Sequence, residues 1–411
     1  MSSVISAFII ISPLIFIYYY NLNENSELKR FVMQSFAFLI VTIFLYEVLL
    51  ELESMSTLSI RERRIKKAFD MGIDFDKREL NEVIDSLSKL SIDASNSISG
   101  RNLLIKYDKL KINKNSDIGL LPLSGFSNKT ILTKNENGNY GSYHSDRYGF
   151  NNSNKIYEQN RIDIALVGDS WAEGYAVDTE FNIASLLNSK GYKTINLGKA
   201  GNGPLFNLAS IIEYGSYFKP KKILWIHCEN DIFDLINRSE WYSLMKYLNV
   251  KDYSQNLITR QDEVDSLWNE YFQNNHKTIK KNLKKSFNYK NTIKLSRLRS
   301  SLNINKISEK RYLFKDILKK SDNIISSWGG ELYFVYVPNY ETLIYKQSRP
   351  YREYIIQTVS ELNIKVIDIL DILNSSNHLD LKKMYPLGLP GHFSKEGYLI
   401  ATDIIFSKIK N

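Results

Sequence analysis

Apolar and polar positions alternate in three different ways along the chain. At the amino end, Val4–Tyr20 (VISAFIIISPLIFIYYY) carries no charge, and Phe31–Leu50 carries a single acid, Glu47. About 20 apolar residues span the hydrocarbon core of a bilayer. The two runs, joined by the short polar linker Asn21–Arg30, therefore predict a two-helix transmembrane hairpin over 1–52; a pair of buried core helices is the plainer alternative. Neither the basic start nor the small-residue cleavage site of a signal peptide is present. The following flank, Arg61–Lys67 (RERRIKK), is strongly basic. By the positive-inside rule it puts both chain ends, and the bulk of the protein, in the cytoplasm, with an outside location as the alternative.

Residues 53–160 read as a juxtamembrane helix and a connector. Leu80, Val83, Ile84, Leu87 and Leu90 recur at helical spacing, while 119–160 is rich in turn formers such as Asn135-Glu136-Asn137-Gly138 and Asp146–Asn152, which suggest short strands and loops. From residue 161 onward, short β-rich runs alternate with helical stretches. The strand candidates are Ile162–Gly168, Tyr192–Leu197, Lys222–Cys228, Glu331–Val337 and Ile364–Leu370. The helix candidates lie near 179–190, 204–218, 315–328, 348–362 and 394–409. Strands apolar on both faces and separated by helices predict an α/β domain over 161–411 with a parallel five-stranded sheet covered on both sides.

Composition narrows the class. Apolar residues make up 43% of the 411, so a real core is available. The lone cysteine, Cys228, excludes an internal disulfide and a cysteine-based zinc site. No cluster of His, Asp and Glu has metal-ligand spacing, so neither a metal nor a cofactor is expected. Between the third and fourth strands lies an insertion at about 236–312. Its stretch Lys277–Lys306 holds ten basic residues and no acid, against a net charge of +9 for the whole chain. With Ile279, Leu283 and Phe287 four apart, it reads as a basic amphipathic helix able to lie on anionic membrane lipid. A solvated helix face is nearly as good a reading, and nucleic acid is disfavoured by the apolar amino end.

Ligands of parallel sheets bind beyond the carboxyl ends of the strands. After the first strand comes Gly168-Asp169-Ser170. After the second comes Asn196-Leu-Gly-Lys-Ala-Gly201, and after the third Glu229-Asn230-Asp231. Just before the last helix comes Pro390-Gly391-His392. Each alone is weak: the first could be a turn, Asn230-Asp231 a helix cap, His392 a surface residue. Their order resembles the SGNH (GDSL-type) hydrolase superfamily over about 162–411. Asp146–Asn152 and Asn202–Leu205 are similar to stretches in its membrane-linked bacterial members. The resemblance implies a flavodoxin-like three-layer α/β/α sandwich, a bacterial inner-membrane location and ester chemistry. In that chemistry Ser170 is the nucleophile and His392 the general base. Ser170 N–H, Gly201 N–H and the Asn230 amide form an oxyanion hole, with Asp169 and Asp231 in support. Two positions depart from the pattern: Cys228 stands for a glycine, and Leu389 stands where the family has the triad acid.

Leu389 leaves three readings open. A backbone carbonyl could orient His392, an acid elsewhere such as Asp380 or Glu229 could replace the missing one, or the site could be catalytically weak. His378 reads as a solvated loop residue and His227 as a core residue. The chain is thus expected to be a membrane-anchored serine esterase or acyl/acetyltransferase acting on an ester of a surface glycan or lipid. The rival is an SGNH-fold binding protein without strong catalysis. Oligomeric state is not legible.

Overall fold

The computed structural model describes residues 27–56, 58–275, 311–347, 350–375 and 380–410. They fall in two compact units. The first contains the helix Glu27–Ser56; the second runs from Ile60 to Lys277 and resumes at Lys310. The helix Glu27–Ser56 contains Arg30–Leu49, the one stretch among the described residues long and apolar enough to cross a membrane, and that stretch is largely exposed. The first arm of the expected hairpin, Val4–Tyr20, lies outside the described residues. So do the basic stretch Lys277–Lys306 and His378.

The second unit is built on a five-stranded parallel sheet. Its strands are β4 (Ile164–Gly168), β5 (Thr194–Asn196), β6 (Lys222–Cys228), β7 (Glu331–Val337) and β8 (Lys365–Asp368), in the order β5-β4-β6-β7-β8. Numbered within the sheet this is 2-1-3-4-5, the flavodoxin-like order. Every residue of β4 is buried, as is all but the first residue of β6 and of β7. Strands with no polar face need cover on both sides, which explains why aliphatic and aromatic residues run through them without alternation. The covering helices pack in two groups. Pro204–Ser210 contacts Asp231–Arg238, Tyr242–Asn249 and Arg311–Ser327, whereas Ile183–Ser189 contacts Lys395–Ile409. The described part of the insertion includes Tyr242–Asn249 and Gln261–Asn275, the latter with an acidic first turn.

The segment read as a connector is not one. From Ile60 onward it belongs to the same compact unit as the parallel sheet. It forms the helices Ile60–Asp70, Leu80–Lys89 and Gly100–Lys109 and a second, three-stranded sheet. There β1 (Ala94–Asn96) runs parallel to β2 (Thr130–Asn135), and β2 pairs antiparallel with β3 (Tyr140–His144). Two of the five basic residues that carried the orientation argument are also structural. Arg61 donates to Lys77 O at 2.6 Å and pairs with Glu79, and Arg64 is buried.

Buried polar contacts join the small sheet to the large one. Lys199 and Glu173, both without exposure, pair at 2.7 Å. Lys199 Nζ also lies 2.7 Å from Tyr143 Oη on β3 and 3.1 Å from Ser97 Oγ just after β1. Glu173 accepts from both hydroxyls and, through its other oxygen, from the Ala200 N–H at 2.8 Å. Burial alone would raise the Glu173 carboxyl, but the Lys199 charge and these hydrogen bonds outweigh it and hold it below the usual carboxylate range. Asn152 adds a second seam: its amide donates to Asn196 O and its carbonyl accepts the Asn196 N–H at 2.7 Å. Asp146, which accepts from Tyr148 N, Phe150 N, Asn152 and Tyr157, holds that loop in place.

A buried ion pair is more damaging to break than to replace. Lys199→Met, which strands the Glu173 carboxylate, should destabilise the protein by about 3–5 kcal/mol in chemical denaturation. The double variant Lys199→Met/Glu173→Gln should recover much of that loss; no recovery would mean the pair is not the joint between the two sheets.

Candidate active site

The turn after β4 is shaped by Asp169, which caps the short helix Ser170–Glu173 by accepting the Trp171 N–H at 2.9 Å. Ser170 follows with its side chain half-buried and its N–H at the first helical position, where no intrahelical acceptor exists. His392 stands in the loop before the helix Lys395–Ile409. Its Nε2 lies 2.8 Å from Ser170 Oγ. The Trp171 and Tyr175 rings flank the imidazole, with centroids 5.3 and 5.1 Å away. Residues 222 positions apart are thus within hydrogen-bond distance.

The acid beside His392 is Glu136. Its Oε1 lies 3.3 Å from His392 Nδ1, and its Oε2 accepts the His392 backbone N–H at 2.7 Å. Glu136 sits in the turn between β2 and β3, where Asn135 Oδ1 accepts the Gly138 N–H at 2.9 Å and Asn135 Nδ2 donates to Asp76 O. The carboxylate is 2% exposed and meets Arg64, whose Nη2 is 3.2 Å from Oε1 and donates to Pro390 O at 2.7 Å. Arg64 therefore ties the acid to the loop that carries the histidine. Gly391 permits this closeness: a Cβ there would lie 2.6 Å from both Arg64 Nη2 and Glu136 Oε2. Burial works to raise the Glu136 carboxyl. The His392 imidazole, its N–H and the Arg64 guanidinium outweigh burial and bring it down to about 2.

Of the three readings left open by Leu389, the contact matches an acid from elsewhere in the chain, but not either of the two residues offered for it. Asp380 is exposed and caps only with its backbone, its carbonyl accepting the Lys383 N–H. Glu229 is buried and accepts from Tyr336 Oη at 3.2 Å. Neither is the acid at His392, and the partner of Nδ1 is a carboxylate rather than a backbone carbonyl. Glu136 and Arg64 were both missed. Glu136 stood among turn formers, and Arg64 among charges assigned to membrane topology.

The remaining expected groups gather at the same edge. The Asn230 amide donates to Asp169 Oδ2 at 3.2 Å. Gly201 has φ +81°, the left-handed region that favours glycine, and its N–H donates no hydrogen bond among the described residues. Asp169 is fully buried; that burial, and then the negative charge of Asp231, push its carboxyl up to about 7. Asp231 is itself pushed well up, by burial and by Asp234, and accepts the Cys228 N–H. His227 is buried among Phe314, Phe334 and Tyr336. Burial brings it down to about 4, and it reaches to 3.2 Å from Asp231 without hydrogen-bond geometry. Among the described residues no group of three His, Cys, Asp or Glu side chains converges as metal ligands would.

No family model matches the chain, and no curated protein does. Several solved structures are similar to it at low identity. The crystal structure of TesA is 11% identical, with 60% of this chain and 98% of that one covered and a TM-score of 0.31. The lipase/acylhydrolase from Enterococcus faecalis is 14% identical over 61% of this chain and 95% of that one, with a TM-score of 0.33. The acetyl xylan esterase AlAXEase is 12% identical over 60% and 100%, also at 0.33.

The depressed Glu136 carboxyl has a consequence for acid stability. A group held lower in the folded state contributes stability above its unfolded value near 4.5, and that contribution is lost as pH falls toward about 2. The interval corresponds to roughly 3 kcal/mol. Glu136→Gln should therefore flatten the decline of denaturation free energy between pH 4.5 and 2, and an unchanged slope would count against the contact. Because Glu136 already occupies the Nδ1 side of His392, Leu389→Asp should change any ester turnover by less than about tenfold, far short of the ~10⁴ tied to a triad acid elsewhere.

Proposed function

We propose that the chain is an SGNH-type serine esterase, or an acyl/acetyltransferase using the same site, and that Ser170, His392 and Glu136 form its triad. The observation that carries this reading is the line of contacts from Ser170 Oγ through both ring nitrogens of His392 to Glu136. Ser170 Oγ attacks the ester carbonyl carbon while His392 Nε2 takes its proton. The oxygen of the tetrahedral intermediate becomes an anion held by Ser170 N–H, Gly201 N–H and the Asn230 amide. Collapse expels the alcohol, which leaves with the proton from His392. Water then releases the acid, or an acceptor hydroxyl takes the acyl group. Glu136 orients the imidazole and stabilises the imidazolium that forms at each step.

Leu389 and Cys228 favoured a binding protein without catalysis; a buried carboxylate at His392 Nδ1 weighs against the argument from Leu389 and leaves the one from Cys228 standing. We further propose that the helix Glu27–Ser56 anchors the protein to a membrane, and that the substrate is an acyl or acetyl ester borne by a glycan or lipid. An ester on a glycan is in keeping with the acetyl xylan esterase among the similar structures.

A fluorophosphonate probe tests the reading directly. It should label the wild type at Ser170, and Ser170→Ala should abolish labelling. Glu136→Gln should lower ester turnover by about 10²–10⁴, while Asp380→Asn should leave it within twofold. A wild type that neither labels nor turns over any simple ester would return the chain to the binding class.

A further inference from the structure

One cation beside the site has no part in the triad. Arg101 occupies the first turn of the helix Gly100–Lys109, which is capped by Ser99; Ser99 Oγ also donates to Ala200 O at 2.9 Å. A positive side chain at a helix amino end opposes the helix dipole, so local preference does not account for it. Its stem lies against Gly201: a Cβ there would be 2.3 Å from Arg101 Cδ, 3.0 Å from Nε and 3.4 Å from Cζ. Its Nε is 3.3 Å from Asp234 Oδ1. Asp234 in turn lies one helical turn after Asn230 and donates its backbone N–H to Asn230 O at 3.3 Å. Arg101 thus touches both elements that carry the proposed oxyanion donors, Gly201 directly and Asn230 through Asp234. Asp234 engages Nε alone. The Nη1 and Nη2 donors make no hydrogen bond among the described residues, and the side chain is 37% exposed. A guanidinium held by its Nε edge, with its outer fork open, is suited to a planar or tetrahedral oxyanion.

Resting on the esterase reading, we propose that Arg101 forms an anion subsite at the mouth of the active site, so that the preferred ester carries a carboxylate or phosphate near its reacting carbonyl. Asp234 acts as the positioning residue that aims the guanidinium. The subsite selects among esters; it takes no part in bond making.

The test compares kcat/KM for 4-nitrophenyl hydrogen succinate, which bears a free carboxylate, with that for neutral 4-nitrophenyl acetate. In the wild type the anionic ester should be favoured, and added salt should erode the preference. Arg101→Gln should lower the anionic-to-neutral ratio at least tenfold, and Arg101→Lys, which keeps the charge but loses the fork, by less. A ratio that Arg101→Gln leaves within twofold of wild type overturns the proposal. A separate arm does not depend on catalysis: calorimetric binding of 2-acetoxyethyl phosphate and of monomethyl succinate to the full chain bearing Ser170→Ala. The proposal expects at least one to bind and Arg101→Gln to weaken that binding tenfold or more, whereas dimethyl succinate should bind poorly. Binding of neither anion, or equal binding with and without Arg101, overturns the subsite even if Ser170 proves inert. Loss of probe labelling with anion binding intact would instead overturn the esterase reading alone.

Discussion

The Glu173–Lys199 pair, buried and hydrogen-bonded to Ser97, Tyr143 and Ala200, is the contact on which the rest of the site depends. It joins the three-stranded sheet to the loop after β5. With the two sheets joined, the turn between β2 and β3 carries Glu136 to His392, and the helix Gly100–Lys109 carries Arg101 to Gly201. Two charges without access to water tolerate little displacement, because each remaining charge would be left uncompensated. A joint of this kind has one acceptable geometry, which is what the proposed triad, assembled from two sheets, requires.

The division of labour between the two sheets follows from what each can offer. The parallel sheet delivers Ser170, Gly201 and Asn230 at the ends of adjacent strands, as such sheets do. Its last loop delivers His392 but no acid, since Leu389 has none to offer. The small sheet supplies the acid from outside; His392 and then Arg64 hold its carboxyl low, and Arg64, buried, fastens it to the histidine loop. Asp169 completes the turn that carries Ser170. It caps the helix of Ser170 and holds the Asn230 amide, in surroundings that push its own carboxyl up to about 7.

How much of this was legible in the sequence depended on distance along the chain. The central strands β4, β6 and β7 were readable because burial on both faces leaves uninterrupted aliphatic and aromatic runs, and the boundaries of β6 and β7 agree with those runs residue for residue. Ser170, Gly201 and Asn230 were readable because each follows its strand within a few residues. Glu136 was not, because it meets His392 across 256 residues and local pattern holds no trace of that contact. Its setting, Asn135 to Gly138, was correctly seen as a turn, but nothing distinguishes a turn glutamate in water from one aimed into a site. Arg64 failed for a related reason: a buried arginine with a partner and an exposed arginine near a membrane are the same letter in the same basic run. The small sheet went unassembled because β1 is three residues long and its pairing with β2 spans the helix between them.

Nitrogen-15 NMR of the His392 ring tests most directly whether Glu136 sets the state of His392. With the neutral imidazole donating to Glu136 and accepting from Ser170, the proton should reside on Nδ1 in the wild type. In Glu136→Gln that preference should weaken, with Nε2–H appearing. A ring protonated on Nε2 in the wild type, or a tautomer ratio unchanged by Glu136→Gln, would contradict the account.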